Sequence, residues 1–153
     1  MTTRPLRRHV TPLRWQEVDV LAYKEEGGAP FRAVSRQVLF DDAALACQLR
    51  YFEVGPGGHT TLERHEHAHA VVIQHGAGRC LVGAAVYRVQ PYDLVHIPPR
   101  TWHQFRADDG QPLGFLCMVN AQRDRPQLPD AADLARLRAE PGVAAFLDGE
   151  TPS

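Results

Sequence analysis

The 153 residues of the chain suit one domain of ordinary size, and 44% hydrophobic with 23% charged residues is close to the average for folded proteins, which excludes disorder and collagen-like repeats. A net charge of −1 gives no global positive field, so we expect no nucleic-acid partner. We also expect no membrane span and no secretory signal, because apolar runs stay well short of ~18 residues and none follows the basic MTTRPLRRHV segment.

We predict an N-terminal extension over residues 1–32, with a short strand around Val18–Leu21, and a strand-rich domain over residues 33–120. Short β-branched and aromatic runs separated by Gly, Pro and Asp are typical of an all-β barrel or sandwich. Gly55-Pro56-Gly57-Gly58 is interpreted as a turn between the second and third strands of this domain. Its predicted strands are Ala33–Phe40, Leu45–Val54, Thr60–His65, His69–Gln74, Arg79–Val82, Ala85–Gln90, Asp93–Ile97, His103–Ala107 and Pro112–Asn120.

The C-terminal tail, residues 121–153, changes to a helical pattern. Asp130 is a suitable N-cap for a helix that ends near Glu140 and has Leu134 and Leu137 on one face. Pro141 suits the first turn of a second helix that ends near Gly149. Helices this short need a surface to pack on, so we expect them against the outside of the barrel or against a partner subunit.

Two features of the strands bear on location and on ligand binding. Cys47, Cys80 and Cys117 are odd in number and lie in apolar stretches, which predicts reduced core thiols of a cytoplasmic protein. A thiol ligand at Cys117 is the less favoured alternative. Gln48 and Arg50 share one strand face, which either reaches the barrel interior to hold an anionic substrate or lies exposed.

The abnormal feature of the composition is a cluster of histidines, since seven of the eight lie between His59 and His103. Histidine is the commonest metal ligand in proteins. His65-Glu66-x-x-His69 formally matches the H-E-x-x-H motif, which makes a zinc hydrolase site when it lies on a helix. Flanking glycines and Val71-Val72-Ile73 favour a strand instead, so this hydrolase is a remote alternative.

On a strand, the side chains of Glu63, His65, His67 and His69 would share one face. Nitrogen and oxygen donors together suit Mn, Fe, Ni, Cu or Zn. The alternative is an exposed polar strand that binds metal only adventitiously. A further candidate ligand is His103, which opens a strand after the turn at Pro98-Pro99.

These segments together resemble the two conserved motifs of the cupin superfamily over residues 35–120. The resemblance implies an all-β fold, a double-stranded β-helix (jelly-roll) barrel with short C-terminal helices. It also implies one divalent metal in the lumen, Mn or Fe first, with Ni, Zn or Cu as alternatives. The matching residues are Pro56-Gly57-Gly58, the cluster 63–69, Gly76-Ala77-Gly78 and Ile97-Pro98-Pro99 followed by Trp102-His103-Gln104-Phe105.

The resemblance also implies a ligand set. His103 falls on the ligand of the second motif, His69 on the acid or third histidine before Gly76, and His65 and Glu63 on the two members of the His-x-His pair. The sequence departs from the usual arrangement of three histidines and one acid, because the acid, Glu63, stands at the first position of the His-x-His pair and a histidine, His69, stands at the later position. It departs again at Tyr92 and Arg100, which stand where the family usually has turn glycines.

The spacing within the cluster restricts which side chains can share one metal. In an extended strand, residues four apart are separated by about 13 Å, whereas two nitrogens on one metal lie within about 4.2 Å of each other. His65 and His69 therefore need a bend at Glu66-His67-Ala68, which moves His67 away from the metal. We predict Glu63, His65, His69 and His103 as ligands. The rival is a straight strand in which His65 and His67 bind the metal and His69 does not.

The resemblance implies a metal-dependent enzyme acting on a small organic molecule in the barrel lumen, a dioxygenase first and then an isomerase, decarboxylase or lyase. The alternative is a non-catalytic module that senses a small metabolite and whose metal is structural, because one fold hosts both. We also expect a homodimer, since jelly-roll domains leave edge strands that need covering, and the resemblance to small cupins implies the same.

Overall fold

The computed structural model describes residues 5–24 and 30–151, about half of which form antiparallel β-strands. The strands are β1 (His9–Thr11), β2 (Arg14–Trp15), β3 (Leu21–Ala22), β4 (Arg32–Asp42), β5 (Cys47–His59), β6 (His69–Gly76), β7 (Gly78–Val82), β8 (Ala85–Val89), β9 (Leu94–Ile97), β10 (His103–Ala107) and β11 (Leu113–Asn120). Two short helices follow, α1 (Ala131–Arg138) and α2 (Val143–Asp148).

A nine-stranded sheet forms the body of the fold and curls into a half-barrel. Its main path runs β8-β7-β10-β5-β11-β6-β9, with β4 pairing β5 and β3 pairing β4, while β1 and β2 form a separate hairpin. The predicted all-β jelly-roll with short C-terminal helices is confirmed. Within residues 5–24 and 30–151, no helix is long and apolar enough to cross a membrane.

The inner face of the curled sheet follows the two-residue period of the strands. Phe52 on β5 lies opposite Phe115 on β11, and Phe115 lies opposite Ile73 on β6. All three side chains are buried and belong to the main hydrophobic core. Two residues along β5 and β11, the same face carries Arg50 opposite Cys117, so polar chemistry begins where the aromatic core ends.

The predicted turn at residues 55–58 is a bulge inside β5. Val54 pairs with Val34 and His59 with Arg32, so four residues of β5 face the single Ala33 of β4. A Cβ atom on Gly58 would lie 2.5 Å from the carbonyl oxygen of Arg32, which explains the glycine at this close approach. The glycines therefore serve a bulge, and the predicted end of the strand at Val54 is wrong.

Residues 60–68 form a loop in place of the predicted strand Thr60–His65. Within this loop only two isolated bridges form, Glu63 with His103 and Arg64 with Gln127. The Thr60 hydroxyl accepts a hydrogen bond from the backbone of Phe105 at 2.9 Å, a side-chain substitute for ladder pairing. This loop carries part of the histidine cluster.

The C-terminal helices pack on the outside of β7. Asp130 caps α1 and forms a capping box with Asp133, as the cap prediction requires. Leu137 and Phe146 bury against Leu81. Helix α2 begins later than predicted, because Gly142 is its N-cap and Pro141 precedes the helix instead of lying in its first turn. Its C-cap is Gly149, with φ 78°.

Candidate metal centre and ligand cavity

The curled sheet encloses a cavity of about 210 Å³. One side of it is apolar and is built from the inner face of the sheet, whereas the other side carries histidines, a thiol and charged groups. The apolar residues are Phe52, Val71, Ile97, Phe105 and Phe115, and the polar ones include Tyr23, Lys24, Arg36, Arg50, Glu63, His65, His67, His69, His103, Cys117, Arg123 and Asp124.

Three histidines meet at this cavity. His65 comes from the 60–68 loop, His69 opens β6 and His103 opens β10. One ring nitrogen of each lies within 4.8 Å of the others, and the two Nε2 atoms of His65 and His69 are 2.7 Å apart. Sequence reasoning selected these three side chains, and the fold brings them together.

The predicted bend between His65 and His69 is present at Glu66 and His67. The bend is held on both sides, because the backbone N–H of Arg100 donates to the carbonyl oxygen of His65 at 2.6 Å and the backbone N–H of Glu66 donates to Asp124 at 2.8 Å. Residues 65–69 form no helix, so the H-E-x-x-H zinc hydrolase is excluded.

Backbone carbonyl groups orient two of the imidazoles. Nδ1 of His65 donates to the carbonyl oxygen of His67 at 2.8 Å, and Nδ1 of His103 donates to that of Thr101 at 2.9 Å. In the neutral ring, each of these bonds leaves the lone pair of Nε2 free. This is the outer hydrogen bonding that metal-binding histidines typically have.

The third imidazole, that of His69, contacts a thiol. Nδ1 of His69 lies 2.9 Å from Sγ of Cys117. When His69 presents the lone pair of Nε2 to the cluster, its Nδ1 carries the proton and points it at the sulfur. Burial raises the pKa of the Cys117 thiol, and the nearby Arg50 guanidinium opposes that rise.

The imidazoles of His65, His69 and His103 are neutral near pH 7. Burial is the first cause that lowers the pKa of each, and the neighbouring imidazoles lower the pKa values further. The pKa of His103 falls to about 4. Three neutral imidazoles are a donor set that suits a divalent transition metal, so the residues present fit the metal that the resemblance implies.

Glu63, the fourth predicted ligand, lines the same cavity but is engaged differently. Its carboxylate forms an ion pair with Lys24. Its backbone N–H donates to the carbonyl oxygen of His103, and its carbonyl oxygen accepts from the backbone N–H of His103. Glu63 lies outside the three-histidine group. Its place as a ligand therefore stays a prediction.

His67 remains beside the cluster after the bend. Its ring stacks on that of His65 at 3.7 Å, and its Nδ1 lies 2.7 Å from Oδ1 of Asp124. The backbone N–H of Glu66 is the first cause that lowers the pKa of Asp124 to about 2. His65, His67 and Asp124 form a second group of donors within 4.8 Å, so His67 is neither a member of the first group nor an exposed side chain.

Cations also line the cavity beside the histidines. Arg50 is buried on β5, with its Nη2 3.8 Å from Sγ of Cys117 and its guanidinium over the ring of Phe52. Sequence reasoning named Arg50 but missed Lys24, Arg36, Arg123 and Asp124. Strand alternation could have found Arg36 once its pairing opposite Phe52 was known, whereas no sequence signal distinguishes Asp124.

Comparison with known proteins assigns the family. The model of the Cupin_2 family, a cupin domain, matches residues 50–119. The chain belongs to the cupin superfamily. A cupin-2 domain protein of Rhodospirillum rubrum has 64% sequence identity and a TM-score of 0.85, covering 95% of this chain and 98% of that one. A cupin 2 conserved barrel domain protein of Rhodopseudomonas palustris has 59% identity and a TM-score of 0.86, covering 92% and 97%.

One similar protein carries a named activity. 1-Methylthio-D-xylulose 5-phosphate methylsulfurylase of Rhodospirillum rubrum is 65% identical to this cupin over 146 residues, which cover 95% of this chain and 94% of the relative. The similarity therefore extends beyond the barrel motifs to nearly the whole of both chains.

Proposed function

We propose that this cupin is a metal-dependent enzyme that removes the methylthio group from a phosphorylated 1-methylthio-pentulose. The observation that carries the proposal is a cavity in which three neutral histidines meet and one of them, His69, contacts the thiol of Cys117. The name of the 65% identical relative supports the same substrate class.

The proposed metal ligands are His65, His69 and His103, with Glu63 as the fourth, and Mn or Fe is the first choice of metal. A bound divalent ion would supply Lewis-acid polarisation of the substrate's carbonyl group. Glu63 becomes available as a ligand only when its carboxylate leaves Lys24 or is shared with it. Phe52, Phe105 and Phe115 form an apolar wall of the cavity, which would limit the access of water to the reacting groups.

We assign Cys117 as the group that accepts the methylthio sulfur. A bond forms between Sγ of Cys117 and that sulfur, the bond from that sulfur to C1 of the sugar breaks, and C1 takes the electron pair and a proton. The products are a 1-deoxy ketose phosphate and a methyl disulfide on Cys117. The sulfur atoms are oxidised and C1 is reduced, so this step needs no external oxidant.

A low-molecular-weight thiol completes the cycle by disulfide exchange. Its thiolate attacks the methylthio sulfur, Sγ of Cys117 leaves, and a mixed methyl disulfide is released. His69 is placed to hold the proton at Nδ1 beside the departing sulfur. Arg50, 3.8 Å from the same sulfur, stabilises its anionic form.

The test supplies metal-loaded protein with 1-methylthio-D-xylulose 5-phosphate and a small thiol, and follows the sugar phosphate by mass spectrometry. We expect the 1-deoxy product, and without the thiol a Cys117 adduct heavier by SCH₃ less one hydrogen. Cys117→Ser should abolish turnover, while Cys47→Ser, outside the cavity, should retain it. Failure of the wild-type protein to consume the substrate would contradict the proposal.

Dioxygenase chemistry is the second candidate function. The three-histidine group favours dioxygenase chemistry, because a metal held by so few protein ligands keeps coordination positions open for a small molecule. Oxygen uptake recorded in the same assay separates the two, since the methylthio transfer consumes no O₂. A non-catalytic sensor with a closed structural metal would show neither activity, and azide would not perturb the spectrum of its metal.

We further propose that the protein acts in the cytoplasm as a homodimer. Cys47, Cys80 and Cys117 are all free thiols, which suits a reducing compartment. The exposed apolar side chains of Met118 on β11 and Leu94 on β9, with the half-buried Val72 of β6 between them, support a partner surface there.

A further inference from the structure

Three arginines form a cationic part of the cavity lining. Arg36 on β4, Arg50 on β5 and Arg123 after β11 all line the cavity. Within residues 5–24 and 30–151, none of the three makes an ion pair with a carboxylate. By contrast, Arg88, Arg100 and Arg138 each bind an aspartate or glutamate at the surface.

Two buried polar atoms of this group lack partners among the residues that the structure describes. Arg50 is only 8% exposed, and its contacts are the Cys117 thiol and the Phe52 ring. The Nε atoms of Arg36 and Arg50 are both buried without a hydrogen-bond partner. Burying a guanidinium in this way is unfavourable unless a partner completes its hydrogen bonds.

The strand register places Arg36 and Arg50 on one wall. Arg36 lies opposite Phe52, and Arg50 lies two residues from Phe52 on the same face of β5. Arg123 is held from behind, because its Nη1 donates to Oε1 of Gln48 at 3.0 Å and to the carbonyl oxygen of Asn120 at 2.9 Å. Burial is the largest cause that lowers the pKa of Arg36 and of Arg123, and the positive charge of Arg50 lowers both pKa values further.

We propose that Arg36, Arg50 and Arg123 form a subsite for a phosphate monoester, which is the phosphate of the substrate class named above. The inference rests on the proposed function for the identity of the sugar, but the arginine cluster alone selects the dianion. Guanidinium groups bind phosphate oxygens through paired N–H donors and satisfy several acceptors at once. Arg50 also contacts Cys117, so it lies between the phosphate end and the sulfur end of the cavity.

The binding test uses calorimetry with D-xylulose 5-phosphate and unphosphorylated D-xylulose, without turnover. Wild type should bind the phosphate ester more tightly, and Arg36→Gln and Arg123→Gln should each weaken its binding by at least about tenfold. Arg125→Gln is the matched control, because Arg125 lies on the same segment as Arg123 but outside the cavity lining. Arg36→Lys reports whether a retained positive charge restores binding.

Either of two results would overturn the subsite. One is equal affinity of wild type for the two sugars, including no binding of either, and the other is unchanged affinity for the phosphate ester in Arg36→Gln and Arg123→Gln. Turnover distinguishes this failure from failure of the proposed function. A protein that binds through these arginines but leaves the methylthio sugar intact keeps the subsite and loses the reaction, whereas an active protein indifferent to both substitutions keeps the reaction and loses the subsite.

Discussion

His69 contacts both the other histidines of the candidate metal site and the Cys117 thiol. Its Nε2 lies 2.7 Å from Nε2 of His65, and its Nδ1 lies 2.9 Å from the Cys117 thiol. His67, two residues earlier, stacks on His65 but directs Nδ1 to Asp124. Two histidines in one short segment therefore have different partners, although both were plausible ligands by spacing alone.

Single substitutions distinguish the roles of His69 and His67. We expect His69→Ala to lose bound metal and to lower the melting temperature with it, because metal binding stabilises the folded state. His67→Ala should keep most of the metal. Elemental analysis of the purified variants measures both. Metal lost from His67→Ala and retained in His69→Ala would favour the straight-strand alternative.

The depressed histidine pKa values predict how the metal-free protein responds to acid. Unfolded histidines take up protons near pH 6.5, but the folded pKa of His103 is about 4. The unfolded state therefore binds more protons between these values, so the free energy of unfolding should fall as pH drops from about 6.5 towards 4. The stabilisation is complete above pH 6.5.

Denaturant unfolding of the metal-free protein at several pH values measures this slope. His103→Gln should make the decline shallower, by up to about 1.4 kcal/mol per pH unit. His96→Gln serves as the control, because His96 is exposed on β9. Equal slopes in the wild type and His103→Gln would show that His103 is not buried in its neutral form.

At the scale of the elements, two turns keep a glycine-like conformation without glycine. Tyr92, before β9, has φ 76°, and Arg100, before β10, has φ 59°. These are the two positions at which the sequence departs from the turn glycines of the family. Side chains are strained in this left-handed region, so the turns retain their geometry because the surrounding strands impose it.

Tyr92 offers a clean test of that strain, because its side chain is 84% exposed. Tyr92→Gly should raise the free energy of unfolding by up to about 1 kcal/mol, the relief of strain less the added freedom of the unfolded chain. Tyr92→Ala removes the same side chain but keeps the strain, so it should bring no gain. A larger gain from Tyr92→Ala than from Tyr92→Gly in thermal unfolding would refute this explanation.

At the level of single elements, sequence patterns correctly predicted features that depend on local geometry and chemistry. They failed where the same residues suit two different structures. The bend before His69 followed from the distance that a shared metal allows, and the Asp130 cap followed from local chemistry. Gly55-Pro56-Gly57-Gly58 indicated a turn, but glycines also serve bulges, and only pairing with β4 decides between the two. For the same reason, the sequence predicted a strand at Thr60–His65, where the structure has a loop over residues 60–68.

The candidate site shows where such prediction ends. His65, His69 and His103 were found because the residue type itself suggests a metal. Lys24, Arg36 and Asp124 come from three separate segments, and their significance arises only from the neighbours that the fold gives them. Register and loop placement are long-range properties, so no local pattern in one chain contains them.

At the scale of the whole molecule, the outer sheet face predicts self-association. Met118 is 50% and Leu94 is 68% exposed, and the register joins them through Leu116 and Val72 into one apolar surface. We expect a dimer in sedimentation velocity at micromolar concentration. The double variant Leu94→Asp with Met118→Asp should be a folded monomer, while Leu128→Asp, an exposed apolar position before α1 and outside these strands, should stay dimeric. A monomeric wild-type protein would contradict the prediction.

The central claim is that catalysis in this cavity requires a divalent metal held by the histidines. Its most direct measurement is turnover of 1-methylthio-D-xylulose 5-phosphate by chelator-treated protein, before and after one equivalent of Mn²⁺ or Fe²⁺ per chain is returned. We predict loss of turnover on chelation with the strands still folded, and recovery in wild type but not in His103→Ala. Undiminished turnover by protein shown by elemental analysis to be free of metal would contradict the account.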